Sequence, residues 1–162
     1  MEKLLVLSDI HGNVRRAAAV VTAHTDCTAC LFLGDGTRHI EYLRGLAPHM
    51  AFVAVRGNCD TFLDGDKISL PPLQFHAIST PGHTKGSSCF VCGNTIFSGD
   101  TLFEGCCGRT DLPGGDGAQM LASLKRLAEL PGDYHVLPGH GGDTTLERER
   151  RTNYYMREAM RV

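Results

Sequence analysis

Three stretches of this sequence set a metal-capable side chain in the same local context: Thr80-Pro81-Gly82-His83-Thr84-Lys85-Gly86-Ser87, Ser98-Gly99-Asp100-Thr101 and Pro138-Gly139-His140-Gly141. Ile78 leads into the first, Thr95-Ile96-Phe97 into the second and Tyr134 to Leu137 into the third, and glycine flanks each, where the backbone can turn sharply. Two imidazoles and a carboxylate delivered from three strand ends suit a Zn²⁺, Fe or Mn²⁺ centre. The carboxylate is able to bridge two such ions.

A second set lies near the start. Leu4 to Leu7 runs into Ser8-Asp9-Ile10-His11-Gly12-Asn13, Cys30 to Leu33 into Gly34-Asp35-Gly36, and Ala51 to Val55 into Arg56-Gly57-Asn58-Cys59-Asp60. In an extended segment Asp9 and His11 point to the same side, so the pair can reach one ion. Asp35, ending the neighbouring strand, can bridge, and the amide oxygen of Asn58 completes a hard-ligand set without adding charge.

The elements that must position these side chains follow from the apolar pattern. Runs as uniformly apolar as Leu4 to Leu7 suit strands buried on both faces, as in a parallel sheet. Between the first two lies a helix over Val14 to His24, with Asn13 as N-cap and Val14, Ala17 and Val21 on one face; a short helix over Arg38 to Gly45 precedes Pro48. The front half therefore reads β-α-β-α-β with a polar motif after every strand, the end at which open α/β sheets bind ligands. Further on, Asp116 caps a helix with Gln119 three residues later, and Leu121, Leu124, Leu127 and Ala128 form its buried stripe before Pro131-Gly132 stops it. Thr144 with Glu147 predicts a second capping box, and Glu147 with Arg151 an i,i+4 ion pair. The last helix, carrying Tyr154, Tyr155, Met156 and Met160, is expected to pack on the sheet.

Composition bounds the function. The chain has 162 residues, 42% apolar and 21% charged, with net charge −2, which suits one domain of ordinary size. That balance, without a basic run, argues against nucleic acid or an anionic membrane as partner, and the apolar run at the start is too short for a membrane span. A cytoplasmic protein acting on a small molecule is expected, with homodimerisation through edge strands as a further expectation. The seven cysteines include Cys27-x-x-Cys30 and Cys89-x-x-Cys92, spacings that could hold a structural zinc. Cys30 and Cys89 lie in apolar strand-like runs, where cysteine behaves as a small hydrophobe, and this is the stronger reading. An odd count argues against a disulfide framework.

From about Asp66 to the end, the motifs T-P-G-H-T-K-G-S, C-G-N-T-I-F-S-G-D-T-L-F, G-R-T-D-L-P-G-G-D, L-P-G-H-G and E-R-x-x-N resemble the second half of the metallo-β-lactamase-fold hydrolases, most closely their glyoxalase II-like branch. The resemblance implies His83, Asp100 and His140 as metal ligands, with Asp100 bridging. It also implies a pocket-shaping loop from Gly108 to Asp116, and hydrolysis of a thioester or related acyl compound. The family's opening H-x-H-x-D-H cluster does not occur in this chain. Residues 1–62 instead look like the opening half of the calcineurin-like metallophosphoesterases, in their small bacterial and archaeal phosphodiesterase branch, through D-x-H-G-N, G-D and G-N-C-D. That second resemblance implies Asp9 and His11 on one metal, Asp35 bridging and Asn58 on the other.

Together these readings predict an α/β chain, a composite four-layer α/β/β/α sandwich whose halves are 1–62 and 63–162 and whose junction turns at Asp64-Gly65-Asp66. One hybrid centre of two divalent ions (Zn, Mn or Fe) would draw on Asp9, His11, Asp35, Asn58, His83, Asp100 and His140. Asp35 and Asp100 would be central to catalysis, His76 a weak candidate for leaving-group acid, and Arg109, Asp111 and Arg56 substrate contacts. The expected function is hydrolysis of an ester or thioester by a metal-activated hydroxide. The alternatives are phosphodiester hydrolysis, or an inactive recombined or truncated product carrying two incomplete half-sites.

Overall fold

Each helix of the front half carries the chain back to start the next strand in the same direction. The computed structural model describes residues 3–7, 13–32, 39–54, 67–70 and 73–162, as backbone alone at 54 and 67–70. In it β1 (Leu4–Leu7), β2 (Ala29–Phe32) and β3 (Ala51–Ala54) pair in parallel in that order, with Leu4 opposite Ala29 and Ala29 opposite Ala51. Helix α1 (Val14–Ala23) starts where expected, because the Asn13 side chain accepts from the backbone N–H of Arg16 at 3.3 Å. Its buried face is Ala17 and Val21. Helix α2 (Ile40–Leu46) begins two residues later than Arg38. Both helices pack on a core that includes Cys30, Phe32, Leu43 and Phe52.

The chain divides into two compact units, Met1–Asp60 and Thr61–Val162. In the second, the sheet order is β11-β10-β7-β6-β5-β4, from β4 (Lys67–Leu70), β5 (Leu73–Ser79), β6 (Ser88–Cys92), β7 (Thr95–Gly99), β10 (His135–Pro138) and β11 (Thr144–Thr145). The pairing directions decide where the polar loops emerge. β5 and β7 are each antiparallel to β6, and β10 is parallel to β7. Hence β5, β7 and β10 run the same way, and the segments following them leave one edge of the sheet. A small hairpin of β8 (Leu102–Phe103) and β9 (Cys106–Cys107) continues from β7.

Helix α3 (Gly117–Ala128) is capped as expected: one Asp116 carboxylate oxygen accepts from the N–H groups of Ala118 and Gln119 at 2.9 and 3.0 Å. Its buried stripe is turned from the expected one. Met120, Ser123, Leu124 and Leu127 are buried, while Leu121 and Ala128 stand at the margin. The second cap also differs, by one residue. Thr145, not Thr144, caps α4 (Leu146–Thr152), accepting from the N–H of Arg148, and Thr144 turns inward instead. The i,i+4 pair of Glu147 and Arg151 forms at 3.6 Å on the exposed face.

The last helix is not continuous. It breaks at Asn153, whose side-chain oxygen caps α5 (Tyr154–Ala159) by accepting from Tyr155 and Met156. Met156 and Ala159 are buried in the cluster that holds Leu124 and Leu127, whereas Tyr154 and Met160 are exposed. Arg150 ties this end to α3 by donating to the carbonyl of Ala128, which the end of the helix leaves without a partner, and to those of Leu130 and Gly132 in the turn beyond it. The expected turn at Asp64-Gly65-Asp66 lies outside the described residues. Among the described residues, no helix is long and apolar enough to cross a membrane.

Candidate metal centre

The loop after β5 is closed by its own polar groups. The Thr80 N–H donates to the Ser87 carbonyl at 2.8 Å, and the Gly82 N–H to the Thr84 carbonyl at 3.1 Å. Thr80 is fully buried and its hydroxyl meets that of Thr101 at 3.0 Å, joining this loop to the one after β7. Gly82 has φ +147°, and a Cβ there would lie 2.5 Å from the Cα of Met120, so the loop can seat on α3 only with glycine. His83 is thereby fixed at the sheet edge.

Asp100 follows Gly99, and the Gly139 N–H donates to the Gly99 carbonyl at 2.9 Å, drawing the loop after β10 against it. Asp100 is 12% exposed and stands between two imidazoles. His83 Nε2 lies 3.5 Å from its Oδ2, and His140 Nδ1 lies 2.8 Å from its Oδ1. His83 Nδ1 is 2.8 Å from the Arg109 carbonyl oxygen. A carbonyl only accepts, so Nδ1 carries the proton and, in the neutral ring, the Nε2 lone pair faces a carboxylate oxygen. Either a proton on Nε2 or a metal ion between the two groups reconciles them. Two donors held about 2.0–2.2 Å from one tetrahedral ion lie ~3.4 Å apart, close to the separation here.

The donor set therefore fits a divalent metal. A backbone carbonyl orienting the far nitrogen of a ligating histidine is the usual outer support of such sites. Each oxygen of Asp100 has an imidazole of its own, which suits a carboxylate serving two centres. His140, with its side chain 61% exposed and its ring edge-on to Phe103 at 6.0 Å, bonds Asp100 and does not converge with His83. Accordingly, no group of three or more His, Cys, Asp or Glu side chains gathers around one point among the described residues.

The other expected site residues divide. Asp9, His11, Asp35, Asn58 and Arg56 lie outside the described residues. His76 is exposed in the middle of β5, and no hydrogen bond or ion pair joins it to His83, Asp100 or His140 among the described residues. That placement gives the acid role no support. Arg109 and Asp111 are both exposed and paired to each other through two contacts of 2.7 Å. The Arg109 guanidinium holds the Asp111 carboxyl down at about 2. Replacing Arg109 by glutamine should raise that pKa toward the ordinary 3.8, with the backbone hydrogen bond to Asp111 still holding it below, read by carbon NMR of the Asp111 carboxyl. The sign is that of a depressed carboxylate: what the pair contributes to stability is present above pH 3.8 and is lost as pH falls through about 2.

Sequence reasoning looked to the side chain of Arg109 and missed its carbonyl, which orients His83. It also passed over the neighbour. A Cβ at Gly108 would lie 1.8 Å from the Asp100 carbonyl oxygen and 3.5 Å from His83 Cβ. Gly108→Ala is expected to cost about 1–3 kcal/mol in urea unfolding and to lower metal content, since the loop must leave both ligands.

The cysteines follow the apolar reading. Cys27, Cys30 and Cys89 are buried and unbridged. Burial pushes the thiol of Cys30 up to about 12 and that of Cys89 to about 11, as for small hydrophobes in an apolar core.

A model of the metallo-beta-lactamase superfamily matches residues 11–140. The chain belongs to that superfamily. The match is continuous across the expected junction near residue 62, so the assignment of residues 1–62 to the metallophosphoesterases finds no support. An uncharacterized Mycobacterium tuberculosis protein, Rv2581c, is 43% identical over 163 residues, covering 90% of this chain and 73% of that one. The hydroxyacylglutathione hydrolase GloC of Haemophilus influenzae is 35% identical over 109 residues, 61% of this chain and 51% of that one. Several of the curated relatives are thus matched over only about half their length, 44% to 51%. Among solved structures, ETHE1 from Myxococcus xanthus superposes with a TM-score of 0.72 at 25% identity, covering 93% of this chain and 72% of that one. TTHA1623 in a di-iron-bound form gives 0.67 at 30% identity, covering 93% and 88%. The fold class is α/β, that of the superfamily.

Proposed function

We propose that this chain is a metal-dependent hydrolase acting on an ester or thioester. The observation that carries the reading is the approach of His83 Nε2 to Asp100 Oδ2 at 3.5 Å, with Nδ1 committed to the Arg109 carbonyl. The superfamily and the named activity of the GloC relative support the substrate class. His83, Asp100 and His140 would hold divalent ions, with zinc, iron and manganese as candidates and the di-iron form of TTHA1623 as a precedent. Bound there, such ions would lower the pKa of a coordinated water toward about 7 and polarise the attacked carbonyl.

The protein's own groups do the rest. Asp100 would supply negative charge to offset a dication at the sheet edge, and the Arg109 carbonyl keeps His83 Nε2 aimed at Asp100. Pairing with Asp111 occupies the Arg109 guanidinium, which disfavours that residue as a phosphate clamp.

Purified without chelator, the protein should turn over a hydroxyacylglutathione thioester at least tenfold faster than bis(p-nitrophenyl) phosphate. Turnover of the phosphodiester alone would overturn the proposal. It would favour phosphodiester hydrolysis instead.

A further inference from the structure

Beside the loop that orients His83 lies a half-open cavity of about 490 Å³ lined by none of the candidate metal ligands. This volume falls among sites for small molecules, roughly 300–1,000 Å³. Its walls come from β9, from the loop after it and from α3 and α5: Cys106, Cys107, Gly108, Met120, Leu121 and Tyr155. We propose that this cavity binds an uncharged aromatic small molecule, or the aryl group of a larger one.

The chemistry of the walls selects that ligand. Three lining side chains carry sulfur and a fourth is a phenol ring, and sulfur packs favourably against aromatic rings. Burial raises the Cys107 thiol to about 11, so this wall is neutral at pH 7. The cation at the rim, Arg109, is already neutralised by Asp111. The start of α3 opens toward the same space at Gly117, but the N–H groups of Ala118 and Gln119 donate to Asp116, so the helix end offers them to no anion. A charged ligand would lose its hydration there without a partner. Tyr155 is 41% exposed although its ring lines the cavity, and its lost solvent contact would accompany binding.

The cavity shares the Gly108-Arg109 backbone with the metal centre but none of its candidate ligands. Binding can therefore be read without turnover. The chain contains no tryptophan, so the emission of N-phenyl-1-naphthylamine can be followed without interference from indole. Titration should show saturable binding of one probe per chain. A Cβ at Gly117 would find its nearest neighbour at 3.6 Å, Thr110 Oγ1, so Gly117→Leu has room at its base and extends into the cavity. This variant should bind the probe at least tenfold more weakly, with metal content and urea midpoint unchanged. Tyr155→Ala, at a half-exposed position, should also weaken binding and decides the matter if the leucine variant does not fold. Non-saturable binding, or wild-type affinity in the folded variants, would overturn the proposal, and neither result bears on the hydrolase reading.

Discussion

Asp100→Ala is expected to bring the number of tightly bound metal ions per chain to zero, measured by elemental analysis after exchange into metal-free buffer. The carboxylate is the shared neighbour of both histidines, one on each oxygen, and is 12% exposed. Without it, His83 and His140 are left with no negative charge between them to offset a dication, and nothing holds them to a common centre. Hydrolysis should fall with the metal, by a factor of at least about a thousand given the size of electrostatic terms in such reactions. Unfolding should change little, because the Thr80 to Thr101 contact and the Gly139 to Gly99 bond that hold the loops together remain. Metal content unchanged in Asp100→Ala would sink the assignment. The same count on Asp35→Ala tests the front-half candidates: loss of metal there as well would make Asp35 part of the centre, and retention would leave the centre to the back half.

The three loops were legible because a polar residue just after a glycine that follows an apolar run marks a strand end whatever the fold. His83, Asp100 and His140 carried that mark, and the parallel direction of β5, β7 and β10 turned a pattern in sequence into a neighbourhood in space. The front β-α-β-α-β order was legible because short apolar runs alternate with helical spacing, although burial on both faces was not met: β1 is half-buried along its length and Ala51 of β3 is exposed. What failed depended on distant partners. Thr144 and Thr145 are equal candidates for a cap until Glu149 claims the hydroxyl of the first. Met120 outranks Leu121 in the stripe because the Gly82 loop seats on its backbone. The carbonyl of Arg109 has no signature in sequence at all, as every residue has one.

The E-R-x-x-N run shows what such distant partners can be worth. On a helix near the chain end, Glu149 reads as a solvated charge, and charged residues are seldom fully buried unless paired. It is fully buried. Its oxygens accept from the hydroxyl of Thr144 at 2.7 Å, from the side-chain amide of Asn153 at 2.8 Å, and from the N–H of Gly105 at 2.8 Å, 44 residues away. Gly105 is in the turn of the β8–β9 hairpin, and Asn153 donates again to the Cys106 carbonyl at 2.9 Å. One carboxylate thus pins the hairpin that leads to Gly108 and Arg109, and so to the support of His83. Glu149→Ala should leave the buried Thr144 hydroxyl without its acceptor, cost Asn153 one of its bonds and release the exposed Gly105 N–H to water, at about 1–3 kcal/mol for a buried group left without a partner, and about 3–5 kcal/mol in all with the packing lost. With a urea slope of about 1–3 kcal/mol/M, the midpoint should fall by more than about 1 M. Glu149→Gln keeps the shape but turns an NH₂ toward one of the donors, so its loss should be smaller yet clear. A midpoint shift in Glu149→Ala below about 0.3 M would mean that the hairpin is held by its own pairing, and that Glu149 is merely tolerated inside.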